Sequence, residues 1–159
     1  MWLSHWTHPN LVEVDPIFKE ISDQLAFHAN KFYCLSKNID RQLNLMKVKR
    51  LWFNVYKHGG YMRAHDRYES YYGSSLYLKT NKSSKLTFTH PSQIKFNTTF
   101  ELDPQPGELL IWPGWLLHEV SPNLEVDAER VVLSAKIDYV VPHTTLDGRR
   151  LDVDLLDNF

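Results

Sequence analysis

From Met46 to Tyr139 the chain is a run of short apolar segments, each cut off by turn-forming residues, and that texture leaves few folds open. M-K-V-K-R-L-W-F-N-V-Y (46–56) begins with strand-like alternation and stops at the turn K-H-G-G (57–60). G-S-S-L-Y-L-K-T (73–80) reads as a second strand, and K-L-T-F-T (85–89) alternates strictly. I-K-F-N-T-T-F-E-L (94–102) alternates as well, until D-P-Q-P-G-E (103–108) breaks it. L-L-I-W-P (109–113), W-L-L-H-E-V (115–120) and R-V-V-L-S-A-K-I-D-Y (130–139) complete the set. Many short strands with polar turns predict a mainly β sandwich or barrel.

One helix precedes the strands. Asp15 is a good N-cap, Pro16 suits the first helical position, and Ile17, Ile21, Leu25 and Phe32 fall on one face. The helix is expected to end near Leu35, before the polar S-K-N. At 159 residues the chain fits one domain. Its parts are a helical support over about 1–44, a β core over about 45–140, and a polar, charged tail over 141–159. That tail either packs outside or lies as a flap on the substrate side.

Composition narrows the partners. A hydrophobic content of 43% is enough for a real core, and the 13% of aromatic residues suits a sheet with large side chains facing a cavity. The net charge of −1 gives no support for a nucleic-acid or membrane-surface partner. Cys34 is the single cysteine, so no internal disulfide forms and a reducing compartment is expected. With no apolar run near the roughly 20 residues of a membrane span, and no signal pattern at M-W-L-S-H-W-T-H-P-N, the expectation is a cytoplasmic protein.

His118 lies in W-P-G-W-L-L-H-E-V-S-P-N (112–123), on a short strand between two breaks, which fixes it near a sheet end. Arg130 opens an otherwise apolar strand, where burial is expensive unless an anion meets it. R-A-H-D-R-Y (63–68) adds His65 and Asp66. Two histidines and a carboxylate on a rigid sheet form the facial triad of non-haem Fe(II) oxygenases. An octahedral iron so held keeps three positions open, two for a chelating 2-oxo acid and one for O2, and Arg130 would then hold the acid's far carboxylate. Tyr56 and Tyr77, on neighbouring strands, offer uncharged O–H donors. Each piece also has a plain structural reading: Arg130 pairing with Asp127 or Glu129 at a surface turn, Trp52, Trp112 and Trp115 as core and cavity wall, Tyr71 and Tyr72 as strand packing. His5, His8, His28, His58, His90 and His143 are assigned no chemistry.

G-G-Y-M-R-A-H-D-R-Y-E-S-Y-Y-G-S-S-L-Y-L, then P-G-E-L-L-I-W-P-G-W-L-L-H-E-V-S-P-N, then E-R-V-V-L-S-A-K, together resemble the 2-oxoglutarate/Fe(II)-dependent oxygenase superfamily over roughly residues 50–139. The nearest likeness is to its small phage and bacterial members related to prolyl hydroxylases. The resemblance implies a double-stranded β-helix (jelly roll, cupin-like) with the N-terminal helix packed outside. It also implies Fe(II) as metal and 2-oxoglutarate as co-substrate, and oxidative decarboxylation to succinate and CO2 coupled to hydroxylation of a substrate. By position His65 and His118 match the two histidine ligands, Arg130 the arginine for the distal carboxylate, and Tyr77 and Tyr56 two pocket tyrosines. The implied substrate is a small molecule or peptide, and the compartment is a host cell's cytoplasm if the chain is phage-encoded.

One departure stands out. The family has a carboxylate or second histidine two residues after the first histidine; here that residue is Arg67. In a regular strand Arg67 shares the face of His65 and Asp66 points away. A bulge or strand end could re-aim Asp66, Glu69 could swing back, or two histidines could stand alone. Asp66 is taken as the third ligand. Two rival functions follow from this departure and from the barrel: a non-catalytic jelly-roll binding module, and a cupin-like metalloenzyme that does not use 2-oxoglutarate.

Overall fold

A computed structural model describes residues 2–3, 10–90 and 98–140. Residues 94–97 of the strand expected over 94–102, the tail 141–159, and His5, His8 and His143 lie outside the described residues.

The helix α1 spans Pro16–Ser36, with Asp15 Oδ1 accepting from the Ile17 N–H at 2.9 Å. The strands are β1 (Trp2–Leu3), β2 (Met46–Tyr56), β3 (Met62–His65), β4 (Tyr72–Lys79), β5 (Leu86–Thr89), β6 (Thr99–Leu102), β7 (Leu109–Pro113), β8 (Leu117–Val120) and β9 (Arg130–Tyr139). They form two antiparallel sheets, ordered β1-β2-β9-β4-β7 and β3-β8-β5-β6. The fold is a mainly β jelly roll with its helix on the outside, as expected.

β9 is the central strand of the larger sheet, and both its faces are covered. Leu133, Ala135 and Ile137 point to the helix side and pack with Leu25, Ala29 and Tyr33 of α1 and with Leu51 and Tyr72. Arg130, Val132 and Ser134 point the other way, into the space between the sheets. A strand with two buried faces reads as a continuous apolar run, which is why R-V-V-L-S-A-K-I shows no alternation.

The helix meets the sheet on a different stripe from the expected one. Phe18, Ile21, Leu25, Ala29 and Tyr33 face the core, whereas Ile17 is 52% exposed and Phe32 38%. The contact runs along the i, i+3, i+4 row that includes small Ala29, which allows close approach, so Ile17 and Phe32 are left on the flanks. Asn30 ties helix to sheet: its Oδ1 accepts from the N–H groups of Leu45 (2.7 Å) and Met46 (2.9 Å). Among the described residues no helix is long and apolar enough to cross a membrane.

Candidate active site

A small cavity opens between the sheets. The larger sheet lines it with Asn54 and Tyr56 of β2, Arg130, Val132 and Ser134 of β9, Ser75 and Tyr77 of β4, and Trp112 of β7. The smaller sheet adds Met62, His65, Leu86, His118 and Val120, and Arg67 reaches in from the turn after β3.

His65 and His118 are direct partners across β3 and β8, their ring centroids 4.3 Å apart. That register exists because β3 is bulged. Met62 pairs with Val120 and His65 with His118, so three steps along β3 match two along β8. Each ring is oriented the same way. His65 Nδ1 lies 2.9 Å from the Arg63 carbonyl, and His118 Nδ1 lies 2.9 Å from the Leu116 carbonyl. A carbonyl can only accept, so both Nδ1 atoms carry the proton and both Nε2 lone pairs remain. His118 Nε2 is buried with no partner. Burial holds the His118 pKa down to about 4 and lowers that of His65, so both rings stay neutral near pH 7, the form that binds metal.

Arg130 is the largest fully buried side chain, 1% exposed. Its Nη1 donates to the Ser84 carbonyl at 2.8 Å and its Nη2 to the Tyr77 hydroxyl at 3.2 Å, while Nε has no partner. Tyr56 is its cross-strand neighbour, with the guanidinium carbon 5.8 Å from that ring and 5.0 Å from the Tyr77 ring. Glu129 does not meet Arg130; it sits at the surface near Lys57 (3.8 Å) and Lys79 (3.7 Å). Among the described residues no carboxylate forms an ion pair with Arg130. Burial pushes the Tyr56 pKa up to about 12, outweighing the pull of the two arginines, and raises that of Tyr77, so both phenols keep their protons.

β3 ends at His65, and a tight turn follows. The Arg67 N–H donates to the Gly114 carbonyl and the Ser70 N–H to the Arg67 carbonyl, each at 2.7 Å. The Asp66 carboxylate caps this turn from outside, accepting the Tyr68 N–H at 3.3 Å, and is exposed. Glu69 pairs with Lys136 at the surface. Arg67 turns inward: its guanidinium lies 4.6 Å from the Trp52 ring centroid, its Nε is buried without a partner, and burial holds its pKa down to about 10.

The family model described as "Putative 2OG-Fe(II) oxygenase" matches residues 50–136, which carry His65, His118 and Arg130. The chain belongs to this 2OG-Fe(II) oxygenase family. Its fold resembles that of a 2OG-Fe(II) oxygenase family oxidoreductase from Burkholderia pseudomallei, with a TM-score of 0.53 and 13% identity. The alignment covers 69% of this chain and 50% of that one. It also resembles the non-heme alpha ketoglutarate dependent epimerase SnoN from nogalamycin biosynthesis, with a TM-score of 0.50, 12% identity, and 72% and 54% of the two chains covered. The chain thus spans about half the length of these structural relatives. No curated protein matches it.

In this member of the family the residues fit the co-substrate better than the full iron ligand set. A buried guanidinium with a free Nε and an adjacent phenol suits a carboxylate. Two neutral imidazoles lining one cavity, each with its proton on Nδ1, suit a divalent metal. The third ligand is not gathered with them: among the described residues no three His, Cys, Asp or Glu side chains are placed to share a metal. The bulge in β3 lies between Met62 and His65, not at 65–66, and aims His65; the strand does end at His65, but Asp66 caps the turn outside.

Two features of the site were not read from sequence. Asn123, 0% exposed, holds the start of β9 beside β2 through bonds from its Nδ2 to the carbonyls of Tyr56 (3.2 Å) and Ala128 (2.6 Å). Asn54, Ser134 and Ser75 form a buried polar row on the cavity wall, with Asn54 Nδ2 donating to Ser134 Oγ at 2.6 Å and Ser75 Oγ 3.2 Å from Ser134 Oγ. For Asn54, Ser75 and Ser134, short polar residues in apolar strands were the available signal; Asn123 lies in the loop between β8 and β9.

Proposed function

We propose that the chain is an Fe(II)- and 2-oxoglutarate-dependent oxygenase that hydroxylates a C–H bond of a small molecule or peptide. The chemistry that iron and 2-oxoglutarate supply when bound is oxidation by O2: one oxygen atom goes into succinate as CO2 leaves, and the other into the substrate's C–H bond. His65 and His118 would hold the metal through Nε2, each ring fixed by the carbonyl behind it. Arg130 and Tyr77 would take the distal carboxylate of the oxo acid. The Tyr56 hydroxyl, kept protonated, adds a donor without adding negative charge. Trp112 and Phe88, whose ring centroids lie 5.0 and 6.0 Å from that of His118, exclude water from this side of the site.

The observation that carries this reading is the pairing of two imidazoles in one cavity with a buried arginine that meets no carboxylate among the described residues. Arg130 also argues for the oxo acid over a cupin-like reaction that does without it. Arg67 favours the second reading, a jelly-roll module that binds a ligand without turning it over, because a guanidinium stands where the family places an iron ligand. Anaerobic addition of Fe(II) and 2-oxoglutarate to the metal-free protein tests the first. A weak visible metal-to-ligand charge-transfer band is expected; its absence in folded protein leaves the binding module.

A further inference from the structure

Among the described residues the cavity is lined by positive charge and N–H donors and by no carboxylate. Three side chains with buried, unpartnered N–H groups line it: Arg67 (Nε), Trp112 (Nε1) and Arg130 (Nε). Gly73 shows how tightly two of them meet. A Cβ built there would stand 2.8 Å from Trp112 Nε1 and 3.0 Å from Arg67 Cδ. The Arg67 stem, whose Cδ carries the unpartnered Nε, and the indole N–H therefore meet over a residue with no side chain to occupy the spot.

Two buried guanidiniums in one lining without an acidic partner are costly unless a ligand brings negative charge. Arg130 and Arg67 are held by different partners. Arg130 bonds to the Ser84 carbonyl and the Tyr77 hydroxyl, whereas Arg67 stacks on Trp52 and leaves the turn next to the histidines. Both bear electrostatically on Tyr56.

We propose that Arg67, with Trp112 Nε1, is a second carboxylate-binding group, so that the cavity holds a diacid between two guanidiniums without any metal. This deepens the proposed function by giving Arg67 a ligand role in place of the missing iron ligand. It rests on that reading only in taking the cavity as the ligand site. The free space beside these groups is about 20 Å³, room for one water-sized group. A carboxylate oxygen fits as the side chains stand, and the rest of the acid is admitted as the unbranched Arg67 stem swings off the Trp52 face. That stacking contact is weaker than a charge-assisted bidentate pair.

The test is calorimetric titration of the chelator-treated protein, its metal content verified as nil, with succinate and with butyrate, a monoacid of equal length. Wild type should bind succinate at least about tenfold more tightly than butyrate. Arg67→Gln should bring the two within about threefold. Arg67→Met, which keeps an apolar stem against Trp52, should do the same, so the result does not depend on one variant folding. A wild type with no diacid preference overturns the proposal, as does an Arg67→Met protein that keeps the full preference. Fe(II) binding is measured separately. Diacid preference without iron binding would remove the oxygenase reading and leave this one; iron binding without metal-free diacid preference would do the reverse.

Discussion

Gly114 and Ser70 approach each other backbone to backbone: a Cβ built on Gly114 would fall 1.9 Å from the Ser70 carbonyl oxygen and 2.7 Å from that of Arg67. The turn that aims Arg67 inward therefore closes over a glycine, and the P-G-W break before β8 serves a residue more than forty positions away. Gly114→Ala should push the 67–70 turn off β7 and cost roughly 2–3 kcal/mol in urea unfolding. Gly59, whose φ is 74° with nothing near its would-be Cβ, gives the contrast. Alanine there bears only the backbone strain of about 1 kcal/mol. Similar losses at the two sites would mean that the turn is not held by this contact.

The two halves of the proposed site should separate by mutation. His118→Ala removes a buried imidazole whose Nε2 has no protein partner, and should abolish Fe(II) retention in metal analysis after anaerobic reconstitution. Arg130→Gln should leave iron bound while weakening 2-oxoglutarate by at least about tenfold in equilibrium titration, because one charge-assisted bond is worth about 1.5–3 kcal/mol. Equal loss of iron in both variants would take Arg130 out of its assigned role.

Asp66 and Glu69 provide a sharper test of the ligand set. Asp66 is occupied outside the cavity with the Tyr68 N–H, and Glu69 with Lys136. Alanine at either position should leave Fe(II) affinity within about twofold of wild type, since each surface contact is weak. A loss in Asp66→Ala as severe as in His118→Ala would return Asp66 to the metal.

Much of the architecture was legible because its causes are local. β2, β7 and β9 lie where alternation and turn residues put them, and Asp15-Pro16 starts the helix. β3 was missed as a strand because M-R-A-H is short, half exposed and bulged, so no period of two survives in it. The helix face was misjudged at its flanks because sequence gives a periodicity but not the sheet it will meet. At the site, His118 and Arg130 stood out as polar residues in apolar strands. The inward direction of Arg67 agrees with the i, i+2 expectation for H-D-R but is set by the turn after β3, and the capping role of Asp66 depends on the same turn, whose closure rests on Gly114. That long-range contact is absent from any local window.

Asn123 is the residue on which the Arg130 end of the cavity most depends. Its Oδ1 accepts from the Glu125 N–H at 2.9 Å and from Ser83 Oγ at 3.2 Å, while its Nδ2 serves Tyr56 and Ala128. Its backbone also exchanges bonds with Gly59 (2.7 Å) and Gly60 (2.9 Å). Asn123→Ala strands the Tyr56 and Ala128 carbonyls and should cost about 3 kcal/mol. Because Tyr56 pairs with Arg130 across β2 and β9, 2-oxoglutarate affinity should fall as well. Undiminished stability would show that the loop between β8 and β9 is held by its backbone bonds alone.

Acid should loosen the fold through the histidine pair. His118 is held to about pKa 4 in the folded chain by burial, against an ordinary 6.5, and His65 is lowered for the same first reason. Between those values the unfolded chain binds a proton that the folded chain refuses, so the neutral imidazole favours folding above about pH 6.5. That contribution is lost as the pH falls towards 4, and the curve flattens below. For His118 the loss is at most about 3 kcal/mol, one pKa unit being about 1.36 kcal/mol. Urea unfolding of metal-free protein at pH 7, 5.5 and 4 should show it; the metal must be absent, because a bound ion competes with the same protons. His118→Gln removes the titrating ring and should make the pH 7 to 4 difference smaller by roughly 2–3 kcal/mol. If the variant loses stability as steeply as wild type, the acid sensitivity belongs to carboxylates at the surface, and the His118 ring is not as sealed from water as its burial implies.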